Sequence, residues 1–258
     1  MNMEIGKKLI EIDSFDGFHA RLEHGFDKSR CVVDLIKARA YAVEEFNQII
    51  NFCAQLTNNY DESHDVMHHI TVYKYAMVIF DKLNVAQWIS KTISTTDYND
   101  LLEMITYSTL LHDTIDHKYP VDLEIKMQKL DDFLAQKLDR ATDVKWIIDN
   151  ISYSKEVKFG YPSHPNNLVQ LARDIVSDAD KLDAIGMLGI ERCKKFTIAF
   201  NPETTDDDEI MSLVIEHCHE KLLKLKDDFI RTVPGKQMAE AKQLEMIEFI
   251  NSYKPINN

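Results

Sequence analysis

Long segments of this chain carry apolar residues at spacings of three and four, and this periodicity constrains the fold more than any other feature. Glycine and proline, which interrupt helices, number only seven and six in 258 residues. No convincing set of alternating strands accompanies the helical pattern. The sequence therefore predicts an all-α fold, with helical segments over 32–56, 64–83, 99–112, 122–139, 142–152, 167–195, 209–230 and 237–252.

The domain organisation follows from what lies between these segments. No Gly/Ser-rich linker, repeat or low-complexity tract separates them, so we expect one helical domain over residues 1–258. The segment "PETTDDDE" (202–209) predicts an acidic loop and the cap of the helix that follows it.

Charge and hydropathy exclude several function classes. The formal net charge of −13 disfavours nonspecific nucleic-acid binding, which needs Lys and Arg to neutralise phosphates. It does not exclude a small anionic substrate, because a bound cation can reverse the charge locally. No apolar run reaches the roughly 18 residues that span a bilayer, and the N-terminus lacks the apolar block of a signal peptide. Together with four scattered cysteines and no CxxC pair, this favours a cytoplasmic protein with no membrane partner.

The first motif of chemical interest is "ESHDVMHHITVYKYA" (62–76), in which His68 shares a helix face with His64 and Val72. Neighbouring residues are about 100° apart around a helix, so one of His68 and His69 faces the apolar side and the other turns away. We expect His69 to be exposed to solvent. Taken alone, a histidine-rich helix is weak evidence for a metal site.

The second motif is "LLHDTIDHKYP" (110–120), where His112 and Asp113 follow an apolar helix. These side chains have two interpretations. They can satisfy backbone groups at the helix terminus, or they can bind a metal. A carboxylate at a helix C-terminus opposes the helix dipole, and this conflict favours a cation nearby.

The third motif is "LARDIVSDADKLDAIGMLGIERC" (171–193), in which Asp178, Asp180 and Asp183 lie inside a strongly apolar helix. Buried carboxylates are rare unless they are paired or bind a metal. For Asp178 and Asp183 a cap or a salt bridge with Lys181 is an equal alternative. Two imidazoles and two carboxylates from the three motifs suit Mn, Fe, Ni, Co or Zn rather than Ca.

In this order, "HDVMHHITV", "LLHDTIDHKY" and "DADKLDAIGMLGI" resemble motifs of the HD-domain superfamily of metal-dependent phosphohydrolases. They are most similar to "HDxxHxxRV", "LLHDIxDxKF" and "DADRLDAIGAIGI" of small bacterial HD hydrolases. The segment "WIIDNISYS" (146–154) resembles the helix "IIxxISF" of those proteins. The resemblance covers about residues 60–195. It implies an HD-domain-like helical bundle with helical additions at residues 1–58 and 196–258.

The resemblance also implies roles for individual residues. Four residues match the ligands of a divalent metal ion (Mn, Ni, Co, Fe, Zn or Mg), namely His68, His112, Asp113 and Asp180, with Asp178 as an alternative to Asp180. Asp116 would orient or deprotonate the metal-bound water, and Lys118 would contact a phosphate. Lys155 and Lys181 are weaker phosphate-binding candidates, and for Lys181 a helix-surface ion pair is the alternative.

The function implied is attack of a metal-bound water or hydroxide on the phosphorus of a nucleotide or other small phosphate ester. The resemblance does not choose between a phosphomonoesterase and a nucleotide pyrophosphohydrolase. Thr71 stands where the bacterial branch has Arg, which leaves the substrate open. The alternatives are a catalytically inactive nucleotide-binding or sensing module and a two-iron oxygenase, which would need further ligands. The sequence leaves the oligomeric state open.

Overall fold

A computed structural model describes residues 43–58, 60, 66–83, 95–115 and 121–253 of the chain. Within these ranges the regular elements are helices, as the sequence predicts. In chain order the α-helices are α1 (43–56), α2 (Val66–Lys82), α3 (Thr95–Leu111), α4 (Leu123–Lys137), α5 (Ala141–Asp149), α6 (Tyr153–Phe159), α7 (Asn167–Asp183), α8 (Met187–Phe200), α9 (Asp207–Glu220) and α10 (Val233–Ser252). A short 3-10 helix (Leu222–Lys224) and a π-helix (Leu225–Phe229) connect α9 to α10.

The chain divides into two compact units, Met1–Phe52 and Cys53–Asn258. In the first unit the structure describes residues 43–52, which are helical. The site residues that the structure describes lie in the second unit. The expectation of one domain with a core at about 60–195 stays a prediction.

Three helices form the centre of the second unit. α7 packs against α2 and α3, and these two helices also pack against each other. Each buries apolar side chains at spacings of three and four, such as Val72, Ala76 and Ile79 on α2. α5 contacts α3, α4 and α7, while α10 contacts α7, α8 and α2. The site described below lies where α2, α7 and the end of α3 meet.

Two predicted helices are interrupted. The predicted segment 167–195 is two helices, because the backbone adopts a positive φ of 83° at Gly186. A Cβ at Gly189 would lie 2.2 Å from the Ala184 carbonyl oxygen, so the chain can turn back this closely only with glycine there. The predicted segment 209–230 also ends early as an α-helix, at Glu220.

Two helices, α9 and α7, begin with a side-chain cap, and the cap of α9 was predicted from the sequence. The Asp206 side chain accepts hydrogen bonds from the backbone N–H groups of Asp208 and Glu209, which confirms the acidic cap predicted for 202–209. The Asn166 side chain caps α7 in the same way, through the N–H of Leu168. Among the described helices, none is both long and apolar enough to span a bilayer.

Candidate metal centre

Four side chains from the predicted motifs converge at the centre of the second unit. The Nε2 atoms of His68 and His112 are 3.1 Å apart. Asp113 Oδ2 lies 3.5 Å from His68 Nε2 and 3.6 Å from His112 Nε2. Asp180 Oδ1 lies 3.6 Å and 3.5 Å from the same two atoms. The structure therefore brings together all four residues predicted as metal ligands.

The end of α3 explains how two neighbouring residues reach one point. The helix stops at Leu111, and His112 and Asp113 lie in the turn that follows. Thr114 closes this turn, since its backbone N–H and its hydroxyl both donate to the Leu111 carbonyl, at 3.2 and 2.7 Å. On a continuing helix the two side chains would diverge by about 100°. The Tyr60 hydroxyl donates to the Thr114 carbonyl at 2.9 Å and fixes the turn from outside.

Hydrogen bonds on the far side of each imidazole determine which ring nitrogen faces the centre with a lone pair. His112 Nδ1 lies 2.9 Å from the Thr109 carbonyl oxygen, which can only accept, so Nδ1 carries the proton. His68 Nδ1 lies 2.8 Å from Asp183 Oδ2, and a carboxylate oxygen likewise accepts. In the neutral state of both rings, the two Nε2 lone pairs point at each other and at two carboxylate oxygens.

Four acceptor atoms at these distances repel one another unless a cation lies among them. Burial disfavours the charged form of His112, but the carboxylates of Asp113 and Asp180 outweigh burial and raise its pKa to about 9. Burial also raises the pKa of Asp113 and Asp180, yet the nearby imidazoles outweigh it and hold both pKa values well below the usual range. The cluster therefore attracts positive charge, which a proton or a metal ion can supply.

The donor set fits a divalent metal ion in distance and in charge. Two donors bound at about 2.1 Å are about 3.0 Å apart at an octahedral right angle and about 3.4 Å apart at a tetrahedral angle. Five of the six distances among the four donors, from 3.1 to 3.6 Å, fall near these values, and His68, His112 and Asp180 form the tightest set. Two carboxylates and two neutral imidazoles carry two negative charges, which one divalent ion balances.

The four donors differ in their access to solvent. The side chains of His68 and His112 are 3% and 1% exposed, whereas those of Asp113 and Asp180 are 36% and 30% exposed. The imidazoles thus form the buried floor of the centre and the carboxylates form its mouth. Among the described residues, the two carboxylates are therefore the donors that water or a substrate can reach.

Asp183 is engaged from two sides. Its Oδ2 atom accepts the hydrogen bond from His68 Nδ1, and the same oxygen receives a short hydrogen bond from the Arg192 guanidinium. Of the alternatives that the sequence left open for Asp183, the structure selects an ion pair, but with Arg192 of α8 instead of Lys181. Asp183 is 4% exposed and the Arg192 side chain is 27% exposed, so this contact is partly buried.

Asp178, the alternative ligand, is occupied elsewhere. Its two carboxylate oxygens accept the backbone N–H groups of Arg231 and Thr232, at 2.8 and 2.7 Å, just before α10. Burial raises the pKa of Asp178 to about 6. Asp180 and not Asp178 points at the two imidazoles.

The expectation that His69 is exposed is wrong. His69 is fully buried, with its ring centroid 5.1 Å from that of His112 and 5.6 Å from that of His68. The reason is that α2 packs against both α7 and α3, so the side of the helix opposite its first apolar face is also covered. Thr71, which replaces the branch's Arg, donates its hydroxyl to the Met67 carbonyl at 2.8 Å.

The remaining predicted site residues lie apart or outside the described chain. Asp116 and Lys118 fall outside the described residues. Lys155 donates to the Asp149 carbonyl at 2.8 Å on the surface. Lys181 is 2% exposed, which rules out the helix-surface ion pair, and it donates to the Ser177 hydroxyl and the Ile151 carbonyl. Phosphate binding by the three lysines stays a prediction.

Two functional contacts have only weak signals in the sequence. The role of Asp183 as the partner of His68 was open, because its motif suits capping equally well. Thr114 follows the His-Asp pair directly, and a hydroxyl residue at a helix end is a common cap of the last carbonyl groups. The tripeptide "HDT" (112–114) carries that signal.

The comparisons with known proteins concern the fold. No family model matches the chain. It is 25% identical to the Bacillus subtilis protein YpgQ over 211 residues, covering 81% of this chain and 91% of YpgQ. A crystal structure of YpgQ in complex with ADP matches with a TM-score of 0.55 at 22% identity, covering 80% of this chain and 94% of the other.

An HD-superfamily hydrolase from Bacillus thuringiensis matches with a TM-score of 0.53 at 24% identity, covering 81% of this chain and 94% of the other. These similarities show that the chain has the fold of small bacterial HD-domain proteins. The predicted all-α, HD-domain-like fold is thereby confirmed.

Proposed function

We propose that this protein is a metal-dependent phosphohydrolase that acts on a nucleotide or another small phosphate ester. The observation that carries the proposal is the convergence of four side chains, from His68, His112, Asp113 and Asp180, in an arrangement that attracts positive charge. When bound there, a divalent ion would lower the pKa of a coordinated water and polarise a phosphoryl oxygen.

The protein's own residues supply the geometry of the reaction. The two buried imidazoles and the two partly exposed carboxylates would hold the ion, and of these donors the carboxylates are the ones that face solvent. An attacking water and the phosphoryl group would therefore share the side of Asp113 and Asp180. In hydrolysis the water oxygen forms a bond to phosphorus, the bond to the leaving oxygen breaks, and that oxygen takes up a proton. Asp116 is the proposed acceptor of the proton from water and Lys118 a proposed phosphate contact.

The choice of a nucleotide as substrate is supported by the related YpgQ, which has been crystallised in complex with ADP. At 22% identity, the ADP complex of YpgQ helps to choose the substrates to test and does not identify the substrate. The panel should therefore contain nucleoside mono-, di- and triphosphates and simple phosphate esters. Phosphate as the product would indicate a phosphomonoesterase, and pyrophosphate as the product would indicate a nucleotide pyrophosphohydrolase.

The test combines metal analysis with the panel. Purified protein should contain, or take up, close to one divalent ion per chain, and phosphate or pyrophosphate release should depend on it. Replacing a ligand, as in His112→Ala or Asp113→Asn, should reduce release by more than about 100-fold, since even outer partners of metal ligands cost 10- to 100-fold. His164→Ala is the matched control, because it removes a histidine that is not one of the four converging side chains. His164 packs on Trp146 instead, with ring centroids 4.6 Å apart. Full activity in both ligand variants would refute the proposal.

A nucleotide-binding or sensing module remains the second candidate. The observation that favours it is Thr71, whose hydroxyl bonds to its own helix where the bacterial branch places a cation. A sensing module would bind a nucleotide in a metal-dependent manner and release no product from any member of the panel. Turnover of any panel member would exclude it.

A further inference from the structure

The two imidazoles of the metal centre are held by different groups. His112 Nδ1 donates to a neutral backbone carbonyl, that of Thr109. His68 Nδ1 donates instead to the Asp183 carboxylate, which also receives the Arg192 guanidinium on the same oxygen. We propose that Asp183 is a positioning residue that fixes the tautomer and orientation of His68 for metal binding, with Arg192 holding Asp183 in place. This inference rests on the proposed metal site and deepens it.

The tautomer argument comes first. A neutral imidazole carries one ring proton, and only the unprotonated nitrogen can bind a metal. Because the Asp183 carboxylate is an acceptor, it holds that proton on Nδ1 and leaves Nε2 with its lone pair toward His112, Asp113 and Asp180. A negatively charged partner also makes Nε2 a stronger ligand than a neutral carbonyl would.

The orientation of Asp183 depends on the break between α7 and α8. Asp183 is the last residue of α7, and the positive φ at Gly186 turns the chain so that Arg192 of α8 comes back to it. Arg192 donates to Oδ2, the atom that also accepts from His68, so the guanidinium fixes the carboxylate rotamer that His68 requires. Three helices, α2, α7 and α8, thus meet in a single chain of hydrogen bonds that ends at the metal-binding nitrogen.

A positioning role and a merely structural role of Asp183 predict different results. Asp183 is 4% exposed and joins two helices, so its loss will affect stability in any case. A residue that only joins helices would change the melting temperature of the metal-free protein and leave metal affinity alone. A positioning residue must change the affinity itself and the ligand field of the bound ion.

The experiment uses Co²⁺ and the full chain. The variant Asp183→Asn keeps the size of the side chain but removes its negative charge, so the oxygen that receives both donors becomes a weaker acceptor. We expect the dissociation constant for Co²⁺ to rise by about 10- to 100-fold, in the range seen for outer partners of metal ligands. The visible spectrum of bound Co²⁺ should also change, because its intensity depends on the coordination around the ion.

Two further variants make the result specific. Arg192→Lys keeps a positive charge but loses the planar guanidinium, so it should weaken Co²⁺ binding less than Asp183→Asn does. Asp207→Asn is the matched control, because it removes another pair between an aspartate and a cation of α8, the one that joins Asp207 of α9 to Lys194. The control should leave both the dissociation constant and the spectrum unchanged.

The outcomes distinguish this inference from the proposed function. If Asp183→Asn lowers the melting temperature but binds Co²⁺ as the unaltered protein does, Asp183 is structural and the inference fails, while the phosphohydrolase proposal stands. If the unaltered protein binds Co²⁺, the variant binds it weakly, and no phosphate ester is hydrolysed, the inference stands and the proposed function fails. If the unaltered protein binds no Co²⁺ or other divalent ion, both are wrong.

Discussion

Two clusters of polar side chains both include residues of α7, and they differ in how their charges are matched. In the metal centre, the acceptor atoms of His68, His112, Asp113 and Asp180 face one another. In the second cluster, which we term the charge network, acids and bases alternate. Its members are Glu156, Arg173, Asp174, Asp178, Lys181 and Arg231.

The charge network is complete in itself. Glu156 accepts from Arg173 at 2.8 Å, also from Arg231, and lies 3.8 Å from Lys181. Arg173 and Lys181 also donate to the backbone carbonyls of Asn150 and Ile151, where α5 gives way to α6. Burial is costly for charges unless each has a partner, and here each charge has one. Removing one member of this cluster therefore leaves other buried charges unpaired, whereas the candidate metal centre attracts an added cation.

The largest expected effect comes from removing a ligand charge. Asp180→Asn should weaken divalent metal binding by more than about 100-fold, because it removes a charged ligand and half of the negative charge of the centre. Metal addition should then no longer raise the melting temperature, since that rise depends on binding to the folded state. Calorimetry with and without a chelator measures both quantities.

The control for this change is Asp131→Asn, which removes an aspartate of a surface pair with Lys145. It should leave the metal-dependent rise in melting temperature intact. An equal rise in the Asp180→Asn protein would contradict the assignment of Asp180.

The second effect tests the charge network. Glu156→Gln leaves Arg173, Lys181 and Arg231 without their shared negative charge, and a hydrogen bond to a charged group contributes about 2 kcal/mol. We expect the free energy of unfolding at pH 7 to fall by about this amount. Chemical denaturation measures it, and metal affinity should stay unchanged. A loss of metal affinity without a loss of stability would reverse the roles of the two clusters.

The same variant predicts a pH dependence of stability. Burial raises the pKa of Glu156, but hydrogen bonds from Arg231 and Arg173 outweigh it and lower the pKa in the folded protein. A lowered pKa means that the stabilisation is complete above the unfolded value of about 4.3 and is lost as the pH falls through the folded value. The difference between the unaltered protein and Glu156→Gln should therefore shrink below about pH 4. Denaturation curves from pH 7 to pH 3 measure this difference in the free energy of unfolding. A difference that stayed constant over this range would contradict the prediction.

The smallest effect is expected at the surface. Asp207 and Lys194 pair at 2.5 Å, but the two side chains are 63% and 34% exposed. Exposed pairs contribute less than about 1 kcal/mol, so Asp207→Asn should change the free energy of unfolding by no more than this. A loss comparable to that of Glu156→Gln would show that burial is not what separates these pairs.

Periodicity predicted the helical fold, and the resemblance to HD-domain motifs predicted the four side chains that converge in the structure. The sequence could not pair Asp183 with Arg192. On the single helix predicted for 167–195, residues nine apart lie on opposite faces. Only the break at Gly186 brings them together. The buried Lys181 was missed for a similar reason, since its carbonyl partner Ile151 becomes available only where α5 ends.

His69 shows a different limit. Periodicity assumes that a helix has one solvent face, but α2 is covered by two partners, and a sequence pattern does not reveal how many neighbours a helix has. The roles of Asp116 and Lys118 lie outside the described residues and rest on the resemblance alone.

The contact of Asp178 with the chain just before α10 has a consequence for how this protein can be shortened. A shortened chain that ended near residue 195, where the resemblance ends, would lack the N–H groups of Arg231 and Thr232 that donate hydrogen bonds to this carboxylate. A buried acid would then lack partners two residues from Asp180. A Cβ at Gly235 would lie 2.7 Å from Asp178 Oδ2, so this part of the chain is also closely fitted. The C-terminal segment is thus a part of the scaffold that any minimal version must retain.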